Sequence, residues 1–127
     1  MSVLTWEIAD QLIAEQVQDI IIPEGYTSII DYAFEDFGLL SVTIPDSVET
    51  IGEHAFETNA LTSIVIPASV KTIEDNAFSG NLLTNAVISD SVKTIGDNAF
   101  YGNLLTNVVI PDSVEKRLEK MHSKKTN

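Results

Sequence analysis

Cysteine is absent from the 127 residues, which excludes a disulfide frame, a thiolate nucleophile and a zinc–thiolate centre. No apolar run approaches the ~18 residues that a membrane helix needs, so membrane insertion is not expected. The opening Met1-Ser2-Val3-Leu4-Thr5-Trp6-Glu7 has neither the basic start nor the apolar stretch of a signal peptide. A cytoplasmic location is therefore expected of the sequence as it stands, unless a leader has been removed. Cations are scarce and unevenly placed. Residues 1–114 carry 17 acidic side chains against Lys71 and Lys93, a balance of −15, whereas the last thirteen carry Lys116, Arg117, Lys120, Lys124 and Lys125 against Glu115 and Glu119, a balance of +3. So acidic a body repels phosphate backbones, and nucleic acid is excluded as a partner class.

The inventory for catalysis is equally thin. Histidine occurs only at 54 and 122, and a Ser-His-Asp arrangement needs one held by a carboxylate beside a nucleophile. There is no Gly-x-Ser-x-Gly elbow, phosphate-binding loop or dinucleotide fingerprint. The sequence reads as non-enzymatic, with no cofactor and no resident metal.

What the chain has instead is self-similarity. Phe34, Phe56, Phe78 and Phe100 recur every 22 residues, each after an alanine (Ala33, Ala55, Ala77, Ala99). Ile22, Ile44, Ile66, Ile88 and Ile110 keep the same interval, and proline follows all but Ile88. Further columns are Ile29, Ile51, Ile73, Ile95 and Val17, Leu39, Leu61, Leu83, Leu105. Residues 70–88 and 92–110 differ at three of nineteen positions. Such periods mark a solenoid, in which no unit buries its apolar face alone and stacked units share one core. Within a unit, Leu61-x-x-Ile64-x-Ile66 ends on the alternation of a half-buried strand, and Pro67 stops it. Val70, Ile73 and Ala77-Phe78 turn inward again. Gly80-Asn81 and Gly102-Asn103, with Asn59 in the same column as the asparagines, are expected to tolerate positive φ where the chain turns back.

Isoleucine-proline, valine-x-x-isoleucine, alanine-phenylalanine and an asparagine turn, in that order, resemble the unit of the BspA-like leucine-rich repeat family. The likeness covers about residues 17–114. It departs in unit length, 22 where 23 is common, and in the turn cysteine, replaced by Asn59, Asn81 and Asn103 and by Phe37 in the first unit. The resemblance implies a β-rich leucine-rich-repeat solenoid, here expected to be right-handed, and a role in protein recognition or adhesion. It implies no active site, and it leaves a secreted or cell-surface location open.

The expected organisation is one domain: a helical cap over 1–18, repeats over 17–114 and a short helix with a basic tail over 115–127. Trp6, Ala9, Ile13 and Val17 share a helical face, and this face is expected to cover the first coil with Trp6 in the core. At the far end Val114, Leu118 and Met121 make a narrow stripe that is expected to cover the last coil poorly and to favour self-association as a homodimer.

The outward strand positions form two columns, Asp19, Ser41, Ser63, Asn85, Asn107 and Ile21, Thr43, Val65, Val87, Val109. Neighbouring strands lie about 4.8 Å apart, so each column is a ladder on one surface. Ser41, Thr43, Ser63, Val65, Asn85, Val87, Asn107 and Val109 are the candidate residues for binding a protein partner. The alternatives are a self-assembling structural protein and a fragment of a surface adhesin. Glu49/Lys71 and Lys93/Glu115 place opposite charges side by side as register-fixing pairs. Thr50, Thr72 and Thr94 make a short ladder without the Thr-x-Thr motif of ice binding. Asp31, Glu53, Asp75 and Asp97 stack like charges that a calcium ion would relieve, although no acidic calcium loop surrounds them.

Overall fold

The computed structural model describes residues 2–109, 111 and 114. Its order is β1 (Val3–Leu4), α1 (Trp6–Gln16), β2 (Asp19–Ile21), β3 (Ser28–Ile29), β4 (Ser41–Thr43), β5 (Thr50–Ile51), β6 (Ser63–Ile66), β7 (Thr72–Ile73), β8 (Asn85–Ile88), β9 (Thr94–Ile95) and β10 (Asn107–Val109). Every strand pair is parallel. Each coil gives one strand to a first sheet face and one to a second. On the second face β1, β3, β5, β7 and β9 form a continuous five-stranded sheet. Val65 pairs with Val87 and Val87 with Val109, so each coil stacks on the one 22 residues before it.

The core between the faces is built from the repeating columns. Phe34, Phe56, Phe78 and Phe100 are fully buried and their rings stack in parallel, centroids 5.2, 5.2 and 5.4 Å apart. Burial of such a side chain contributes about 1.5–3 kcal/mol, and each aromatic pair adds about 0.5–1.5. Ile20, Ile29, Leu39, Ile51, Leu61, Ile66 and Ile73 are among the other large side chains sealed in the interior, together with Leu4.

The asparagine column does something other than turn the chain. The left-handed backbone falls one position earlier, at Asp36 (φ 61°), Thr58 (60°), Gly80 (70°) and Gly102 (78°). The asparagine amides face inward and tie successive coils together. Asn81 Oδ1 accepts from Leu61 N–H (3.1 Å), while its Nδ2 donates to the carbonyls of Phe56 (2.9 Å) and Phe78 (3.0 Å). Asn59 and Asn103 repeat the pattern toward Leu39 and Leu83. Side chains with two donors and an acceptor are needed because the backbone here bends away from any ladder and its buried polar groups must still be paired.

Helix α1 lies at the N-terminal end of the stack. Thr5 caps it by accepting from Ile8 N–H (3.4 Å). The face it buries is Ala9 and Leu12, flanked by Ile8 and Ile13, and not the one expected from Trp6, Ala9, Ile13 and Val17. Val17 ends the helix at φ 69°, and this left-handed turn throws its side chain into solvent. Trp6 is 55% exposed, with its indole N–H donated to the Asp31 carbonyl (2.9 Å). The indole finds its polar partner at the surface, so the ring stays there. The expected C-terminal helix lies outside the described residues.

Candidate protein-interaction face

The first sheet face carries the outward columns. Ser41 and Thr43 on β4, Ser63 and Val65 on β6, and Asn85 and Val87 on β8 all point to solvent, alternating with the buried Val42, Ile64 and Ala86. Asn107 and Val109 of β10 align with Asn85 and Val87 through the backbone register. Val65 is 63% exposed and Val87 59%, and Ile21 on β2 matches them at 63%. Val65 and Val87, on consecutive coils, form a strip, whereas Ile21 stands apart from them across Thr43.

The columns are not the unbroken ladders expected of them. β10, β8 and β6 form one sheet and β2 and β4 another, while β4 and β6 run side by side without a ladder. Elsewhere the residue before each strand bonds back one coil: Leu40 N–H to Gln18 O (2.8 Å), Thr84 N–H to Thr62 O (3.0 Å) and Thr106 N–H to Thr84 O (3.2 Å). The corresponding Thr62 N–H and Leu40 carbonyl make no such bond. A second inter-coil tie fails at the same junction. Ser47 Oγ donates to Tyr26 O (2.8 Å) and Ser91 Oγ to Val70 O (3.2 Å), but Ser69 Oγ is shut off from solvent without a partner. On the opposite face β5 and β7 remain paired. The junction is thus closed on one side and wedged open on the other. The opening is a cleft of about 310 Å³ lined by Ser41, Thr43, Asp46, Ser63, Val65 and Pro67, with Val42, Ile44 and Ile64 as its floor.

The side chains considered for other chemistry resolve into structural roles. Asp31 Oδ1 accepts from Glu53 N–H (2.8 Å) and Asp75 Oδ1 from Asp97 N–H (2.8 Å). Gly96 makes room for the second of these, since a Cβ there would sit 2.3 Å from Asp75 Oδ1. Among the described residues no three acidic, histidine or cysteine groups converge as metal ligands. Glu74 lies beside this column. Burial first, then the charges of Glu53, Asp31 and Asp75, raise its carboxyl above the ordinary 4.5. Glu49 and Lys71 meet through the backbone, Lys71 N–H to Glu49 O (2.8 Å), and form no ion pair. Their columns run along the stack, but the two side chains end in solvent, where an exposed pair gains about 0–1 kcal/mol at best. Glu115 lies outside the described residues.

One cluster went unread in the sequence. His54 Nδ1 contacts the Glu57 carboxylate, whose Oε2 accepts from the buried Ser79 hydroxyl (3.0 Å). Tyr32 stacks on the imidazole at 4.6 Å. The carboxylate stands between serine and histidine, the wrong order for a nucleophile activated by a base. The available signal was the column Tyr32, His54, Asn76, Asn98, all with φ between 57° and 64°. Its two asparagines mark a left-handed position.

Residues 13–127 match the model of the BspA-type leucine-rich repeat region, in six copies. The chain belongs to that family. A crystal structure of a leucine-rich repeat protein from Bacteroides ovatus is similar, with 36% identity and a TM-score of 0.69. The match covers 76% of this chain and 26% of that one, so the BspA-type chain spans about a quarter of this relative's length. No curated protein matches it. Leucine-rich repeat domains typically mediate protein interactions, and those of the BspA type are often found in secreted or surface proteins. The cytoplasmic location expected from the N-terminus therefore gains no support. No described helix is long and apolar enough to cross a membrane. At the far end Val114 is buried, in the inward column of Val48, Val70 and Val92, and Leu118 and Met121 lie outside the described residues.

Proposed function

We propose that this BspA-type chain is a non-enzymatic protein-interaction module that docks its partner on the outward face of β4, β6, β8 and β10. The observation that carries the proposal is the exposed strip of Val65 and Val87 on successive coils, beside the cleft between β4 and β6. A rigid stack holds these side chains in place before any partner arrives. Binding then costs little conformational entropy, since the strands are already ordered. The hydroxyls of Ser41, Thr43 and Ser63 and the amide of Asn85 supply a polar rim around the apolar strip, as interfaces require.

The test is to replace Val65, Val87 and Val109 together with lysine and to measure affinity for a partner recovered with the parent protein. Val65 and Val87 point to solvent and Val109 aligns with Val87 in the backbone register, so the melting temperature should hold. Affinity should fall by about a hundredfold, the loss expected when the apolar centre of an interface becomes charged. Unchanged affinity would place the partner elsewhere. Self-association through the C-terminal end draws no support from Val114, which serves the core.

A further inference from the structure

The wedge between β4 and β6 has a chemistry of its own. Its floor is apolar, with Val42 at 8% exposure against 0% for Ile20 and 2% for Ile64 in the same column. Its rim is one-sided in charge. Asp46 is its one charged lining residue, and two carboxylates of the coil before stand behind the lining: Glu24 Oε2 accepts from Asp46 N–H (3.3 Å) and Asp19 Oδ1 accepts from the Ser41 hydroxyl (2.8 Å). The β6 side contributes Ser63, Val65 and Pro67 and no charge. No lysine or arginine precedes Lys71 in the chain, so the first two coils hold carboxylates without either of these cations. The Leu40 carbonyl, next in the chain to the lining residue Ser41, lacks the backbone partner its counterparts have.

Hydroxyls and a carboxylate on one wall, an apolar floor and a volume at the small end of ligand sites (about 300–1,000 Å³) describe a slot for one long side chain, not for a drug-sized molecule. Arginine fits this description best. Its aliphatic stem can lie on Val42, Ile44, Ile64 and Pro67, and its five donors need acceptors only. We infer that the wedge between β4 and β6 is a recognition slot for an arginine side chain presented by an extended, basic segment of a partner protein. The inference rests on the proposed interaction face and specifies which partner chemistry that face selects. The flanking residues of such a segment would run over Val65 and Thr43, and its positive charge would be steered by a surface of −15 over residues 1–114.

The test uses the full chain and two labelled hexapeptides, one alternating valine with arginine and one alternating valine with glutamate. Binding is read by fluorescence anisotropy and by amide chemical shifts. The arginine peptide should bind, and the shifts should concentrate in Val42–Ile44, Asp46 and Thr62–Ile66. Asp46→Asn should weaken it by about tenfold, the scale expected for removing one charge partner. Asp97→Asn, which lies on the opposite side of the coil, should change affinity less than twofold and controls for net charge. Equal losses from both variants, or shifts scattered over every acidic column, would reduce the effect to diffuse attraction and overturn the slot. Binding of neither peptide would also overturn it. If the triple valine replacement still abolished binding of the native partner, the interaction face would stand and the arginine slot alone would fall.

Discussion

At the scale of single residues, the asparagines of the buried column carry more than their size suggests. Asn81 answers one buried N–H and two buried carbonyls across two coils. Asn81→Ala should therefore destabilise the protein by about 3 kcal/mol, because backbone groups left unpaired in the interior cost about 1–3 kcal/mol each. Urea unfolding measures this, and a loss below 1 kcal/mol would mean that water enters to replace the amide. Glu74 makes a different kind of prediction. Its carboxyl is raised in the folded protein by burial and by Glu53, Asp31 and Asp75. The folded state thus holds its proton to higher pH than the unfolded chain does. The associated stability is complete below the ordinary value of 4.5 and is lost as pH rises through the raised folded value. Glu74→Gln should melt higher than the parent at pH 7, and the difference should close on acidification toward 4.5. An equal difference at both pH values would show that the change acts through packing.

At the scale of elements, the strands were readable because alternation and a proline stop leave little choice. Leu61-x-x-Ile64-x-Ile66 followed by Pro67 became β6 with Ile64 and Ile66 buried. The exposed columns followed from the same alternation, so Ser41, Thr43, Ser63, Val65, Asn85 and Val87 were found at the surface where periodicity put them. The break between β4 and β6 was not readable. Ser41-Val42-Thr43 and Ser63-Ile64-Val65 both suit a strand, and whether two strands pair depends on how their coils tilt. That depends on contacts throughout each coil and not on either strand alone. The helix is legible in the sequence, but its buried face is set by Leu12, while Val17 leaves the helical face at the C-cap. A valine at positive φ has no local signature in sequence. The break itself can be measured. The Thr62 amide, unpaired at the wedge, should exchange with deuterium faster than the Thr84 and Thr106 amides, which are bonded to the previous coil. Equal protection would mean that the ladder closes in solution.

At the scale of the whole molecule, charge works against the stack. A net charge of −12 on 127 residues, with carboxylates aligned on successive coils, costs stability through self-repulsion. Raising salt from about 10 to about 150 mM shortens the screening length from about 30 to about 8 Å. The melting temperature should rise over that range by a few degrees, as a change near 1 kcal/mol gives, and a fall would show attraction to be the larger effect. The amide ties also have a direction. Leu39 waits on Asn59, Leu61 on Asn81 and Leu83 on Asn103, always the next coil completing the one before. A ribosome delivers these coils in the same order. Each new 22-residue length leaving the exit tunnel therefore brings the amide that pairs the open backbone N–H of its predecessor.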